Sequence, residues 1–372
     1  MAFGWNIGYR LEAETRNTPG NKKRQSKGFV MRKRLWTLSV LFVPALVFAH
    51  HSFNATFNPR EVVEIEGVVT KVIWRNPHVR LEVEVDGEVW DIETHSVSIL
   101  SRMEVGPELI DVGDPIRLAG NPARRSENGL FALHALLEDG NEIVLDPGGS
   151  PRWTDAGKQS SEYWLAPEVD SEGGGNGIFQ VWSTVLADSA SFPLFPHGFD
   201  PGFDVATYGL TPDARRALEA FDPYTDSPTA DCAPKGMPTI MEQPYPMEIM
   251  EAGGDIVLRL EEYDTVRTVH MSPAEASTDQ AETLLGYSVG RWEGETLVVE
   301  TSNSSWRHFD TDRVPLSDEA EITEWFTPSA DGSRLNYRLR VVDAATFERP
   351  IEFEKYWLAV PGTTVEPYEC TK

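Results

Sequence analysis

The stretch between residues 78 and 85 alternates apolar and charged side chains without a break. Its apolar members are Val79, Leu81, Val83 and Val85, and its charged members are Arg80, Glu82 and Glu84. A period of two predicts a β-strand with one buried face. Asp86-Gly87 follows directly and favours a tight hairpin, and residues 88–94 predict the returning strand. This part of the chain is therefore expected to form antiparallel β-structure.

The neighbouring segments predict a small barrel over residues 50–146. A long strand is expected over 61–74, with Gly67 placed where a strand can bend sharply. Ser96 is the expected N-cap of a short helix over 97–103, and two more strands follow over 114–119 and 130–145, the latter broken near Asp139-Gly140. Three meandering strands, a helix and two strands are in the order of an OB-type barrel.

The rest of the chain predicts an extended arm and a second β-domain. Gly and Pro crowd residues 147–231, where only 212–221 is expected to be helical, with Thr211 as its N-cap. Its scattered aromatic residues suggest an arm that lies across a domain or a protein partner. Residues 232–372 predict seven strands, 255–262, 265–271, 286–292, 296–302, 320–326, 334–342 and 351–358. Short strands joined by Gly-containing turns predict an antiparallel barrel or sandwich, so the fold class is mainly β.

The N-terminal segment has the pattern of a secretory signal peptide. Residues 31–34 read Met-Arg-Lys-Arg, residues 35–48 are almost wholly apolar, and Val47-Phe48-Ala49 provides a cleavage site. The apolar run is shorter than the ~20 residues that a membrane-spanning helix needs, which disfavours a membrane anchor. Cleavage after Ala49 and a periplasmic or secreted location are expected, with no membrane span afterwards. Residues 1–30 are interpreted as a disordered extension or a mis-assigned start.

The charge of the chain excludes one class of partner. The net charge is −26, and residues from 50 onward carry 24 basic and 57 acidic residues, a net of −33. A nucleic-acid surface needs a basic face, so no nucleic-acid partner is expected, and anionic lipid is disfavoured for the same reason. Such acidity suits solubility in salty surroundings, attraction of cations, or both.

Cys232 and Cys370 are the only two cysteines. An isolated pair in an oxidising compartment usually forms a disulfide, which here would join the two ends of the second β-domain. Metal binding by the two thiols is the alternative, but no Cys-x-x-Cys spacing supports it.

Several motifs resemble known families without an established activity. The N-terminal set is Ala49-His50-His51-Ser52-Phe53, Trp74-Arg75-Asn76-Pro77-His78 and Gly113-Asp114. This set resembles an uncharacterised family of exported proteobacterial proteins with AHHSF and NPH motifs, a domain of unknown function. The downstream set is Leu210-Thr211-Pro212, Cys232-Ala233-Pro234-Lys235-Gly236-Met237-Pro238, Pro244-Tyr245-Pro246-Met247 and the stretch 286–294. It resembles a second uncharacterised β-rich module. His95 departs from the first pattern, in which Gly or Ser is expected.

The expected mature N-terminus suggests a metal site. Cleavage after Ala49 would leave the α-amine and imidazole of His50 as two donors to one metal ion. His51 or His78 would add a third nitrogen, a donor set suited to copper. The resemblance strengthens the pairing, because the two motifs occur together in the family. The alternative is that the histidines merely follow a cleavage site and that His78 caps a turn.

Two further patterns have weaker support. Residues 286–290 match G-x-S-x-G, but a turn and a strand follow where a nucleophile elbow needs a helix. His270, His308, Glu324 and Tyr356 could form an acid/base set at a barrel mouth, although no spacing rule joins them. The aromatic residues of the second domain are expected to pack in its core rather than line a ligand cavity; they are Trp292, Trp306, Trp325, Tyr337, Tyr356 and Trp357.

Three functions therefore remain open. The favoured one is an exported protein that binds copper, another metal ion or a small molecule. The alternative is an extracytoplasmic enzyme that acts on a small molecule with acid/base residues of the second β-domain. The third is an assembly protein whose arm, residues 147–231, wraps a protein partner.

Overall fold

Two closed β-barrels make up the part of the chain that the structure describes. The structure is a computed structural model, and it describes residues 53–147, 149–155, 177–186, 188–196, 203–222, 225–229, 232–272, 281–311 and 313–370. Both barrels belong to one compact unit.

The first barrel has five strands, with a helix between the third and the fourth. Its elements are α1 Phe53–Thr56, β1 Val63–Ile73, β2 Arg80–Val85, β3 Glu88–Glu93, α2 Val97–Arg102, a 3-10 turn at Pro107–Leu109, β4 Pro115–Pro122, β5 Gly129–Leu137 and β6 Glu142–Val144. β1 pairs with β2 and β4, β4 pairs with β5, and β3 closes the barrel by pairing in parallel with β5. This connectivity confirms the predicted OB-like barrel.

The local signals in the sequence act as expected in this barrel. Asp86 and Gly87 have φ angles of 53° and 84°, the left-handed pair that a tight hairpin requires. The Ser96 hydroxyl accepts a hydrogen bond from the Ile99 amide at 3.2 Å and caps α2. A Cβ atom on Gly67 would lie 2.3 Å from the Glu84 carbonyl oxygen. Only glycine therefore permits this close approach of β1 and β2.

The second barrel has nine strands. Its strands are β7 Val181–Ser183, β8 Met247–Ala252, β9 Asp255–Leu260, β10 Thr265–His270, β11 Tyr287–Glu293, β12 Thr296–Ser302, β13 Glu321–Pro328, β14 Arg334–Val342 and β15 Ile351–Ala359. The helix α3, Pro212–Ala220, and 3-10 turns at Val205–Tyr208, Thr239–Glu242 and Glu262–Asp264 lie in the connections. Thr211 caps α3, as the sequence predicts.

The nine strands close into a barrel rather than a sandwich. All neighbouring pairs are antiparallel except β10 and β11, which pair in parallel through Val269–Ser288 and His270–Val289. β7 comes from the segment predicted to be an extended arm. It lies between β15 and β8, so the arm supplies one strand of the barrel wall.

A polar layer crosses the lumen of the second barrel. The Arg267 guanidinium pairs with the Glu324 carboxylate, and their side chains are 1% and 0% exposed. Arg267 also donates to the hydroxyls of Ser288 and Thr301, and the Tyr337 hydroxyl donates to Glu324 at 2.9 Å. Each charge is thus paired and hydrogen-bonded, as burial of an ion pair demands.

The two barrels pack directly against each other. Tyr245 and Tyr368 of the C-terminal half are part of the hydrophobic core of the first barrel. Arg102 of α2 forms two hydrogen bonds, of 2.8 and 2.6 Å, with the fully buried carboxylate of Glu261. The Asn76 side-chain amide donates to the Tyr368 carbonyl. The contact therefore combines apolar burial with a buried ion pair.

The predicted disulfide is confirmed. Cys232 and Cys370 are bonded, with Cα atoms 5.8 Å apart and 138 positions between them in sequence. The bond ties the beginning of the C-terminal segment to its end. Across the described ranges, no helix combines the length and apolar character that crossing a bilayer requires.

Candidate functional site

A cavity of about 240 Å³ lies where the two barrels meet. Phe53, Pro77, His78, His95 and Ile99 line it from the first barrel. The C-terminal half contributes a polar set, Lys235, Thr239, Glu242, Glu262, Asp310 and Arg313, and an aromatic set, Tyr245, Tyr263, Trp306 and Tyr368. An apolar cleft between domains with a few polar groups in its wall is the usual form of a small-molecule site.

The NPH motif forms the first-barrel wall. The Asn76 side-chain oxygen accepts a hydrogen bond from the Val97 amide at 2.9 Å, which ties the loop before β2 to the start of α2. His78 Nδ1 lies 2.8 Å from the Thr94 carbonyl oxygen. A carbonyl only accepts, so this bond places the imidazole proton on Nδ1 and leaves the basic lone pair on Nε2.

His95 is the second imidazole in this wall. Burial lowers its pKa to about 3, with a further contribution from His78, so the ring is neutral at physiological pH. Its Nε2 is buried and has no hydrogen-bond partner within the described residues. The rings of His95, His78 and Phe53 all contact Phe131, with centroid distances of 5.2, 6.3 and 4.9 Å.

The second-barrel wall is built on the segment that follows Cys232. A Cβ atom on Gly236 would lie 2.3 Å from the Leu284 carbonyl oxygen and 2.5 Å from Trp306 Cβ. Glycine therefore lets this segment pass beneath Trp306. The Thr239 hydroxyl then accepts from the Trp306 indole N–H at 2.7 Å and donates to the His308 carbonyl at 3.1 Å. These bonds hold the 3-10 turn Thr239–Glu242 at the cavity.

Glu242 is the most perturbed acid of the cavity. Burial raises its pKa to about 8, against the opposing effects of the Phe195 amide, which donates to Oε1 at 3.0 Å, and of Lys235. Its Oε2 is buried without a partner in the described part of the chain. The amine of Lys355 lies behind it in the lumen, where burial lowers its pKa to about 7. Groups that titrate near neutrality in a cleft are characteristic of functional sites.

Glu262 is the second buried acid of the cavity. Its Oε1 accepts from the Lys235 amine at 2.8 Å, and its Oε2 is also buried and unpartnered among the described residues. Beside it, burial raises the pKa values of Tyr245, Tyr263 and Tyr368. The three phenols therefore remain neutral, and their rings lie 5.3–5.5 Å apart at the Tyr263–Tyr368 and Tyr245–Tyr368 contacts.

The predicted metal ligands are only partly visible. His50 and His51 lie outside the described residues, whereas His78 lies in the cavity wall. Within the described ranges, no cluster of three or more His, Cys, Asp or Glu side chains could hold a metal ion. The copper site at His50, His51 and His78 therefore stays a prediction.

The four side chains of the predicted acid/base set have separate partners. His270 contacts Asp255 and stacks on Tyr287, and Glu324 pairs with Arg267 in the lumen. Tyr356 donates to Asp188. The imidazole of His308, whose pKa burial lowers to about 4, contacts Trp306 and Phe221. None of these contacts within the described residues joins two members of the set.

The G-x-S-x-G motif has a structural role. Gly286 lies in a turn with φ of 68°, and Ser288 is a buried residue of β11 whose hydroxyl binds Arg267 and Thr301. β12 follows after a two-residue turn, so the motif is not a nucleophile elbow.

The aromatic residues of the second domain do not all pack in its core. Tyr337 and Trp357 pack in the core, as the sequence predicts. Trp306 instead lines the cavity, and Trp292 is 44% exposed.

The reasoning from sequence missed Lys235, Glu242 and Glu262. No local signal identifies Glu242, because the segment between Pro238 and Pro244 mixes polar and apolar residues. Nothing local to Glu262 distinguishes it from its neighbour Glu261.

Comparison with known proteins adds a family match for part of the chain. Residues 39–131 match a family of unknown function, DUF6152. This range contains the Ala49–Phe53 and Asn76–His78 motifs and ends at Phe131 in β5. The resemblance of the downstream motifs to a second module stays a prediction. Among curated proteins, no match was found.

Proposed function

We propose that this chain is an exported binding protein that holds a compact small molecule in the cavity between its two barrels. The observation that carries the proposal is the composition of the cavity wall. It joins aromatic rings from both halves of the chain to buried polar atoms that lack partners among the described residues, Glu242 Oε2, Glu262 Oε2 and His95 Nε2. Buried polar groups are nearly always hydrogen-bonded, so a bound molecule or ordered water is expected to satisfy them.

The size of the cavity limits the ligand. A volume of 240 Å³ equals the share of about eight waters in the liquid, at ~30 Å³ each. A single-ring compound fits this space. The acidity of the chain disfavours nucleic acid on independent grounds.

Ligand binding can be tested by tryptophan fluorescence, because Trp306 lines the cavity. Benzyl alcohol, benzylamine and benzoate are suitable single-ring probes. At least one should change the emission saturably. Leu186 also lines the cavity, so Leu186→Trp should fill it and abolish the change. Val266→Trp, at a position 57% exposed on the outer face of β10, should not. Equal responses from the two variants would place binding elsewhere.

Export is part of the proposal and has its own test. The pattern of residues 31–49 supports it. Protein recovered from the periplasm should have an intact mass that begins at His50. Recovery of full-length protein in the cytoplasm would contradict export.

A second candidate function is copper binding by His50, His51 and His78. The orientation of His78 favours it, because metal-binding histidines usually donate the other ring N–H to a carbonyl or carboxylate, as His78 does to Thr94. In addition, Phe53, which lines the same cavity, follows His51 by two residues. Copper would be held by imidazole nitrogens, with the α-amine of His50 as a further donor.

The copper proposal requires a native start. A chain that begins at His50 should bind Cu²⁺ far more tightly than one with a tag before His50, because the tag converts the α-amine into an amide. His78→Ala should weaken binding, whereas His270→Ala, which removes an imidazole stacked on Tyr287 in the second barrel, should not. Calorimetric titration of the tagged and native-start proteins measures this directly. Equal affinities would refute the proposal.

A further inference from the structure

We propose that the molecule held in the cavity is a small organic cation, a protonated primary amine with an aromatic or otherwise apolar body. This inference rests on the proposed function, since it names the ligand class of the same cavity.

The unpartnered Oε2 atoms of the two buried acids accept hydrogen bonds when the acids are ionised. Glu242 and Glu262 are 1% and 5% exposed, and in each only Oε1 has a hydrogen bond, from the Phe195 amide and from Lys235 respectively. An ionised carboxylate only accepts hydrogen bonds, whereas an ammonium group offers three donors and no acceptor. A ligand with N–H donors therefore matches both acids in their ionised form, which a bound cation favours for Glu242.

The two acids face one common cation. Lys235 lies 2.8 Å from Glu262 Oε1, and its charge also lowers the pKa of Glu242. Both carboxyl groups therefore experience the charge of one lysine. Lys235 donates to Glu262 Oε1, and each acid keeps its Oε2 for another donor.

One further cation would balance the net charge of the described residues in the cavity wall. Among the described residues, the cavity is lined by three acids, Glu242, Glu262 and Asp310, and by two basic side chains, Lys235 and Arg313. His95 is neutral because burial lowers its pKa. Lys355 donates to the Met241 carbonyl at 3.4 Å, and its lowered pKa leaves it only partly charged at neutrality. A monocation therefore balances the wall when Glu242 is ionised.

The rings near these acids suit the same ligand. Tyr368 contacts both Tyr245 and Tyr263, and the charge of Glu262 helps to keep all three phenols neutral. Aromatic faces attract ammonium groups, and the attraction is larger where the group is desolvated.

Calorimetric titration with three matched probes tests the inference. Benzylamine, benzyl alcohol and benzoate share one ring and differ in charge. Benzylamine should bind at least roughly tenfold more tightly than either of the others, because only it satisfies buried carboxylate oxygens. Binding at pH 7 should also release protons, seen as a difference in heat between phosphate and Tris buffers, because the ammonium favours the ionised form of Glu242.

Variants that remove a carboxylate charge test whether Glu242 binds the ammonium group. Glu242→Gln should weaken benzylamine binding roughly tenfold and abolish proton release, while benzyl alcohol binding changes little. Because Glu242 is mostly protonated in the free protein, this variant should fold normally, and its melting curve checks that. Glu352→Gln, at an outer-face carboxylate 51% exposed, should leave benzylamine binding unchanged.

The outcomes separate this inference from the proposed function. If benzyl alcohol or benzoate binds as tightly as benzylamine, or if Glu242→Gln has no effect on benzylamine, the ligand is not a cation and the cavity remains a binding site. If none of the three probes binds at millimolar concentration, both the ligand class and the proposed function fail.

Discussion

The ion pair inside the second barrel should be essential to its stability. Glu324→Gln keeps the shape of the side chain but leaves the Arg267 guanidinium buried, at 1% exposure, without a counter-charge. Removal of one partner of a buried ion pair costs about 3–5 kcal/mol. At about 2–4 °C per kcal/mol for a domain of this size, the melting temperature should fall by about 6–20 °C.

A surface pair in the same barrel provides the control. Arg291 and Glu300 form a 2.7 Å hydrogen bond, but their side chains are 50% and 61% exposed. Exposed pairs are worth about 0–1 kcal/mol, so Glu300→Gln should hardly change the unfolding curve.

A double replacement separates loss of the charge from loss of the side chain. Arg267→Met combined with Glu324→Leu removes both charges, and Ser288 and Thr301 still bond each other at 2.9 Å. The double variant should be more stable than Glu324→Gln, because no charge is left unpaired. Thermal unfolding followed by circular dichroism measures all four proteins. If Glu324→Gln unfolds at the same temperature as Glu300→Gln, the polar layer is solvated and the reasoning is wrong.

Three more measurements follow from the structure. Burial raises the pKa of Glu242 from 4.5 to about 8, so the folded state holds a proton that the unfolded state loses. As the pH rises from 5 to 7, the free energy of unfolding, relative to that of Glu242→Gln, should therefore fall by at most about 1.4 kcal/mol per pH unit. Parallel pH profiles of the two proteins in urea unfolding would contradict this. Reduction of Cys232–Cys370 should lower the free energy of unfolding by at most about 4–5 kcal/mol, and an unchanged urea midpoint after confirmed reduction would show that the bond is dispensable. Arg102→Met leaves the fully buried Glu261 unpaired and should destabilise the contact between the barrels by about 3 kcal/mol. Arg125→Met, which removes an exposed pair with Asp222, should have little effect. Equal losses of stability in calorimetry would refute the distinction.

Much of the fold follows from local signals. The alternation in residues 78–85 and the Asp86-Gly87 turn predict the central hairpin of the first barrel, and the order of elements predicts its OB-like closure. Two strands of the second barrel were not predicted. β7 is only three residues long, too short for a periodic pattern, and β8 begins at Met247, the last residue of the Pro244–Met247 motif.

The cavity was harder to predict because its walls come from distant segments. Pro77 and His78 meet Lys235 and Trp306 only after both barrels have formed and packed together. The sequence identified His78 as a candidate ligand, since the NPH motif is visible locally. Residues distant in sequence bury Glu242 and so raise its pKa. The spacing of residues along the chain does not indicate this burial.

The position of β7 determines which pieces of this protein can exist alone. Leu358, near the end of the chain, pairs with Ser183, which is separated from it by every other strand of the barrel. A protein expressed from Cys232 onward would lack β7 and expose the unpaired backbone edges of β15 and β8, which are prone to pair with other chains. During synthesis the second barrel cannot close until its last strand has left the ribosome, whereas the strands of the first barrel are complete at Val144. A sheet with open edges therefore exists from the synthesis of β8 until that of β15, and such an intermediate is prone to aggregate.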